Sequence, residues 1–264
     1  MNKEYSMQRY ANQVVLISGG LGDMGLAIGE RLGQEGALVV LGDIARPDQA
    51  ALGARFGSRI PEVLALDVTS PESWRAVVDT VLQRHGRLDV LVNNAGVVSR
   101  ESVNFDQIDA TEWQRLFAIN VDGVFHGVQA AMRVMKGQPE GGAIVNMGSI
   151  AGFVGSATGG AYGTSKSALR NLTQQAALSA ARAGYRVRVN AVHPGYVWTA
   201  LIAEKLTAQF GGIEAAQHAV RAMNPMQTIV TPQDVAAAVA FLGSADARLI
   251  TGADLVVDGG RLIQ

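Results

Sequence analysis

Short apolar runs alternate with longer stretches of helical spacing along this chain. Val14 to Ile17, Ala37 to Leu41, Val63 to Leu66, Leu88 to Val92, Ala143 to Met147, Val187 to Val192 and Leu255 to Val257 read as strands. They are apolar almost throughout, the pattern of strands buried on both faces. Between them, Met24 to Gln34 sets Met24, Ala27, Ile28 and Leu32 on one helical face. Pro71 to Arg84 carries its proline at the start, where a helix tolerates it. Thr111 to Lys136 reads as one long helix, buried through Ala118, Val121, Phe125, Val128 and Met132. Ala161 to Ala183 and Pro232 to Leu242 are the other helices. Strands alternating with helices imply right-handed crossovers, hence an α/β fold with a doubly wound parallel sheet of about seven strands and helices on both faces. No Pro- or Ser-rich linker divides the chain, so residues 1–264 read as a single domain. Residues 1–13 form an N-terminal extension, and 199–226 break the alternation as an insertion placed to cover a site.

Composition narrows the classes. At 48% hydrophobic and 17% charged residues the chain is globular. Its formal net charge of −1 argues against a general nucleic-acid binder. With no cysteine, thiol nucleophiles and zinc fingers are excluded, and a reducing compartment is favoured. No clustered ligand set calls for a metal. The polar start lacks a secretion signal and no apolar run has the length of a membrane span, so a cytoplasmic protein without a membrane partner is expected.

Ligands of open parallel sheets bind beyond the carboxyl ends of the strands, so the loops there carry the chemistry. After the first strand comes Gly20-Leu21-Gly22-Asp23-Met24-Gly25, a G-x-G-x-x-G turn that opens a helix. Glycines there let backbone approach a pyrophosphate, and the helix N-terminus offers unpaired N–H groups. Asp43 ends the second strand, 18 residues after Gly25, where an acidic side chain accepts hydrogen bonds from the adenosine ribose. A carboxylate there repels a 2′-phosphate, which favours NAD over NADP. Further on, Tyr162 and Lys166 stand four residues apart and share a helix face. An ammonium beside a phenol favours phenolate and makes the tyrosine a usable general acid/base. Ser149 follows the fifth strand, where its hydroxyl can bond the oxygen of an alcohol or a carbonyl.

Together these residues resemble the short-chain dehydrogenase/reductase family, in its short single-domain branch. The likeness runs from Val14 to Gly260 and rests on an ordered set: Ser18-Gly19 through Gly25, Asp67-Val68, Asn93-Asn94-Ala95-Gly96, Asn120, Ser149, Tyr162-x-x-x-Lys166 and Pro194-Gly195-Tyr196-Val197-Trp198-Thr199. The resemblance implies a Rossmann fold and hydride transfer between a secondary alcohol and a nicotinamide cofactor. It implies Tyr162 as general acid/base, Lys166 on the nicotinamide ribose, Ser149 on the substrate oxygen, and Asn120 holding a water that relays protons to Lys166. It assigns Ser18, Gly19, Gly22, Asp23, Met24, Gly25, Asp43, Ile44, Asp67, Val68, Asn94, Ala95, Gly96, Pro194, Gly195, Val197 and Thr199 to the cofactor. Phe153, Tyr196, Trp198 and Arg100 are the expected substrate neighbours, beside Ser149. The family's tetramers imply a homotetramer built on the two long helices and the last strand. The four-residue step to Lys166 argues against the branch that reduces enoyl thioesters. Asp23 departs from the pattern, because the family carries glycine there and a carboxylate would oppose a pyrophosphate. Either Asp23 turns outward while Gly22 makes the close approach, or cofactor affinity is weak; the remaining matches favour the first. A polyol, sugar acid or hydroxy acid is one substrate expectation, and an aromatic or hydrophobic secondary alcohol the other. Two readings stand beside the dehydrogenase: a non-catalytic dinucleotide-binding regulator, and a dehydratase or epimerase that recycles NAD.

Overall fold

The computed structural model describes residues 8–264; the first seven residues of the expected extension lie outside them. Among the described residues seven strands pair in parallel: β1 (Val14–Ser18), β2 (Leu38–Asp43), β3 (Glu62–Ala65), β4 (Val90–Asn93), β5 (Gly142–Met147), β6 (Val187–Pro194) and β7 (Asp254–Val257). Their order across the sheet is β3-β2-β1-β4-β5-β6-β7. The chain therefore winds outward from β1 in one direction, returns to β4 and winds outward in the other. The reversal opens a crevice between β1 and β4 at the carboxyl edge of the sheet. Register aligns that edge: Ser18 pairs with Gly42 on one side and with Asn93 on the other, and Asn93 pairs with Asn146.

Alternate residues of β1 enter opposite cores, which is why the strand is apolar without a break. Val15 and Ile17 pack with Ile28 and Leu32 of α1 (Asp23–Gln34) and with Val235 and Val239 of α9 (Pro232–Gly243). Val14 and Leu16 pack with Trp74, Val77, Val78 and Val81 of α3 (Pro71–His85), Val124 and Val128 of α5 (Gly123–Met135) and Leu169 of α6 (Gly160–Arg182). Tyr10, within the stretch expected to be a polar extension, is fully buried in the first core and donates its hydroxyl to Ala240 O at 2.6 Å.

Three elements differ from the sequence expectation. A short helix, α2 (Gln49–Phe56), follows β2; it buries only Leu52, too little periodicity to show in the sequence, and Asp48 caps it by accepting from Ala50 N and Ala51 N. The long helix expected over Thr111 to Lys136 is α4 (Ala110–Phe117) and α5, joined by a π turn over Ala118–Asp122. The extra residue of a π turn rotates the downstream helix by about 100°. The buried face is accordingly Leu116, Asn120, Val124, Val128, Ala131 and Met135, and Phe125 is 47% exposed. The insertion holds two helices, α7 (Ala200–Phe210) and α8 (Ile213–Ala222), with a small core of their own made of Leu206, Ala216 and Val220.

Candidate active site

At the crevice, β1 and β4 are clamped together by their own turns. The Ser18 hydroxyl oxygen accepts from Asn94 N at 3.1 Å and Ala95 N at 3.2 Å, and Asn94 Nδ2 donates to Ser18 O and Gly19 O at 3.1 and 2.9 Å. Gly19 stands at φ +61°, and a Cβ there would come within 2.8 Å of Ala95 Cα. A Cβ on Gly25 would collide with Gly19 O, so both glycines are demanded by packing. Gly22 is different: a Cβ there would meet only Gly19 O, at 3.6 Å. It is the N-cap of α1 and makes no side-chain capping bond, which leaves a helix N-terminus facing open space. That cradle fits the pyrophosphate of a dinucleotide, with Gly22, Asp23 and Met24 as its backbone. The Asp23 carboxylate turns to the insertion, where Oδ2 accepts from Ala200 N at 2.6 Å. Asp43 lies beside the cradle, its oxygens accepting from Leu21 N and Ala45 N, each at 2.9 Å, and Ile44 beyond it is exposed. Asp67 closes its own turn by accepting from Thr69 N and Oγ1, and Val68 lies against Gly123.

The acid/base candidates meet on the other side of the crevice. Tyr162 and Lys166 lie near the start of α6, and the Lys166 Nζ stands 5.8 Å from the centre of the Tyr162 ring. Lys166 Nζ donates to Met147 O at 2.8 Å, and burial pushes its pKa down to about 8. Burial pushes the Tyr162 phenol up, while hydrogen bonding from the Ser149 side chain pulls it down. The cost of desolvating phenolate outweighs the help from Ser149, so the phenol stays above its ordinary value, and Lys166 is not among the groups that set the shift. Ser149 begins a 3-10 turn, Ile150–Gly152, and its Oγ accepts from Ala151 N at 3.2 Å. Asn120 is fully buried in the π turn: Oδ1 accepts from Val97 N, and Nδ2 donates to Val97 O and Ser165 Oγ. A Cβ on Gly96 would lie 3.3 Å from Asn120 Oδ1 and 3.4 Å from Lys166 Nζ, so both side-chain ends pack close to Gly96.

The far wall comes from β6 onward. Gly195 N donates to Val257 O, Pro194 ends β6, and Val197 is buried in a bridge to Val230. Thr199 caps α7 by accepting from Ile202 N at 3.3 Å. The expected substrate neighbours separate. Tyr196 lies close enough to Tyr162 to raise its pKa and is partly exposed. Trp198 packs against the core of the insertion. Arg100 points into solvent, with its Nε 3.9 Å from Glu112. The Phe153 ring lies edge-on to His193 with the Arg170 guanidinium over its face. His193, Asp254 and Arg170, which no sequence motif marks, form a linked set beneath Ser149.

A family model described as enoyl-(acyl carrier protein) reductase matches residues 21–261. The NADP-dependent (R)-specific alcohol dehydrogenase of Lentilactobacillus kefiri is 36% identical over 259 residues, covering 97% of this chain and 99% of that protein. The cyclopentanol dehydrogenase of Comamonas sp. (strain NCIMB 9872) is 39% identical over 258 residues, with 96% and 98% covered. The ligand-free aldohexose dehydrogenase of Thermoplasma acidophilum superposes with a TM-score of 0.86 at 32% identity, over 98% of this chain and 96% of that one. Fold, glycine turn and the Tyr162–Lys166 pair thus define an oxidoreductase on a nucleotide-binding sheet. The chain belongs to the short-chain dehydrogenase/reductase family, whose fold holds a nicotinamide dinucleotide.

Proposed function

We propose that this protein is an NAD(H)-dependent dehydrogenase that interconverts a secondary alcohol and its ketone, with Tyr162 as general acid/base. The observation that carries the reading is the meeting of Tyr162, Ser149 and Lys166 across one crevice from an uncapped helix N-terminus. A bound nicotinamide dinucleotide supplies or accepts the hydride. Ser18, Gly19, Gly22, Asp23, Met24 and Gly25 form the turn that holds it, Asp43 and Ile44 flank the adenosine ribose, and Asp67 and Val68 flank the adenine. Asn94, Ala95 and Gly96 line the cleft, and Pro194, Gly195, Val197 and Thr199 form its nicotinamide wall. Ser149 Oγ orients the substrate oxygen. Tyr162 Oη takes the alcohol proton, or returns it to the ketone oxygen, and Lys166 holds the ribose. Asn120, anchored by hydrogen bonds to Val97 and Ser165, holds the water that relays protons toward Lys166.

For the substrate, Tyr196 is the favoured contact. The proposal extends to an apolar or ring-borne secondary alcohol, in keeping with a relative named for cyclopentanol. Phe153, Trp198 and Arg100 are engaged in packing or solvent and act at most as outer walls. The protein is taken as one catalytic domain that works in the cytoplasm as a homotetramer. The exposed apolar side chains of Phe125 on α5 and Leu178 on α6 support the assembly.

NAD rather than NADP rests on the Asp43 charge beside the cradle, against a relative named as NADP-dependent. Parallel fluorescence titration with NADH and NADPH tests it. The expected result is NADH binding at least tenfold tighter, about 1.4 kcal/mol. Equal binding, or tighter NADPH, would overturn the NAD assignment.

A further inference from the structure

His193 is a fully buried, titratable side chain on β6 with no part in the proton and hydride transfers assigned to Tyr162, Ser149 and Lys166. Its surroundings are built for it. Gly148 is the residue before Ser149, and any side chain there would collide with the imidazole. The Phe153 ring closes one side. Nε2 lies 2.9 Å from Asp254 Oδ1, and the other oxygen of that carboxylate accepts from Arg170 Nε at 2.6 Å. Nδ1 faces the Ser149 main chain, 3.3 Å from its N–H nitrogen and 3.2 Å from its carbonyl oxygen.

These contacts dictate a tautomer. Ionised Asp254 can only accept, so Nε2 carries the proton. A neutral ring then has a lone pair on Nδ1, and that lone pair can accept from Ser149 N–H but cannot bond the carbonyl. Ser149 sits at φ −168°, ψ 154°, at the point where the extended strand passes into the 3-10 turn. Rotation of its peptide would swing the hydroxyl away from Tyr162. We propose that His193 is a positioning residue: held as the Nε2–H tautomer by Asp254 and Arg170, it fixes the Ser149 peptide through Nδ1 and so sets the Ser149 hydroxyl against Tyr162 and the substrate oxygen. Burial lowers the pKa of the imidazole, helped by the Arg170 charge, against the opposing pull of Asp254 and of the Ser149 main chain.

The inference rests on the proposed dehydrogenase reading, and its test keeps the two apart. Asp254→Asn places an amide that donates to Nε2 while its oxygen still accepts from Arg170. The imidazole proton must then move to Nδ1, where it points at the Ser149 carbonyl instead of accepting from the N–H. The measurement combines the 15N ring shifts of His193, steady-state turnover of the best substrate in a panel of cyclic, aliphatic and polyhydroxy secondary alcohols with the better-binding cofactor, and the dissociation constant of the reduced cofactor. The wild type is expected to show the Nε2–H tautomer. Asp254→Asn is expected to show Nδ1–H and to lose at least tenfold in kcat, with cofactor binding changed less than twofold. Should that variant fold poorly, His193→Asn, which keeps an acceptor near the Nδ1 position, should hold kcat within about threefold of wild type. His193→Gln, which reaches Asp254 but not Ser149, should lose at least tenfold. An Nδ1–H tautomer in the wild type overturns the proposal. So does a flipped tautomer with unchanged kcat, or equal loss in the Asn and Gln variants. A wild type that binds cofactor but turns over no alcohol would instead count against the dehydrogenase reading.

Discussion

Tyr162 sits among groups that pull its proton in opposite directions, and burial wins in the structure as it stands. The four-residue step to Lys166 is suggestive in the sequence, whereas Ser149 joins the pair only through the family resemblance. The balance of shifts is not legible there, because desolvation depends on what covers a side chain and not on its neighbours in sequence. The glycines of the turn divide in the same way. Sequence alone makes Gly22 and Gly25 equivalent members of one motif, whereas the space in front of them differs completely. Gly25→Ala is expected to destabilise the fold by about 1–3 kcal/mol, since its methyl group meets backbone that cannot yield. Gly22→Ala should stay within about 0.5 kcal/mol of wild type. Urea unfolding of the two variants checks the contrast, and equal losses would show that Gly25 is not held against Gly19 by packing. His193 was missed because a lone histidine inside an apolar strand carries no spacing signal. Only the parallel pairing of β6 with β5 and β7 reveals Ser149 on one side of it and Asp254 on the other.

Strands and strongly amphipathic helices follow their sequence patterns closely, because two buried faces or one apolar stripe leave a plain periodicity. The π turn over Ala118–Asp122 left no such trace. It adds one residue without changing composition, yet it turns Asn120 inward beside Lys166 and Phe125 outward. The insertion was recognised as a break in alternation, but its two helices build a core too small to announce itself. Its first helix is tied to the cofactor turn by Asp23, whose carboxylate reaches the first turn of α7. That placement joins two helix N-termini through one negative charge, a favourable arrangement at each end. It also leaves the charge near the place where a pyrophosphate would bind. Asp23→Asn removes the charge and keeps an acceptor for Ala200 N. It is expected to tighten NADH binding by about 1 kcal/mol, roughly fivefold, with a smaller gain in high salt. Calorimetric titration at two ionic strengths measures this, and unchanged affinity would mean that the Asp23 charge does not reach the phosphate site.

At the scale of the whole molecule, the winding outward from β1 in both directions puts the loops of the candidate site at one edge of a single sheet. The glycine turn, the Tyr162–Lys166 pair and the Pro194–Thr199 stretch come from well-separated parts of the sequence, and the sheet topology brings them to one edge. Among the described residues no helix is long and apolar enough to cross a membrane. Stability of the assembled core should carry a pH signature from His193. An unfolded histidine takes up its proton near the ordinary value of 6.5, whereas buried His193 does so at lower pH. Between those points the unfolded chain holds more protons, so stability present above 6.5 is lost as pH falls toward the folded value. Melting temperature should drop more steeply from pH 7 to pH 5 in the wild type than in His193→Asn, and parallel curves would exclude His193 as the source. The proposed function turns on Tyr162 performing acid/base chemistry on a secondary alcohol beside a bound dinucleotide. Tyr162→Phe removes only the hydroxyl, so the measurement is oxidation by wild type and variant of whichever secondary alcohol in a panel the wild type turns over best, with cofactor affinity measured in both. A fall in kcat of about 10²–10⁴-fold is expected, with cofactor affinity unchanged. A variant that binds cofactor and oxidises the alcohol at the wild-type rate would contradict that role of Tyr162.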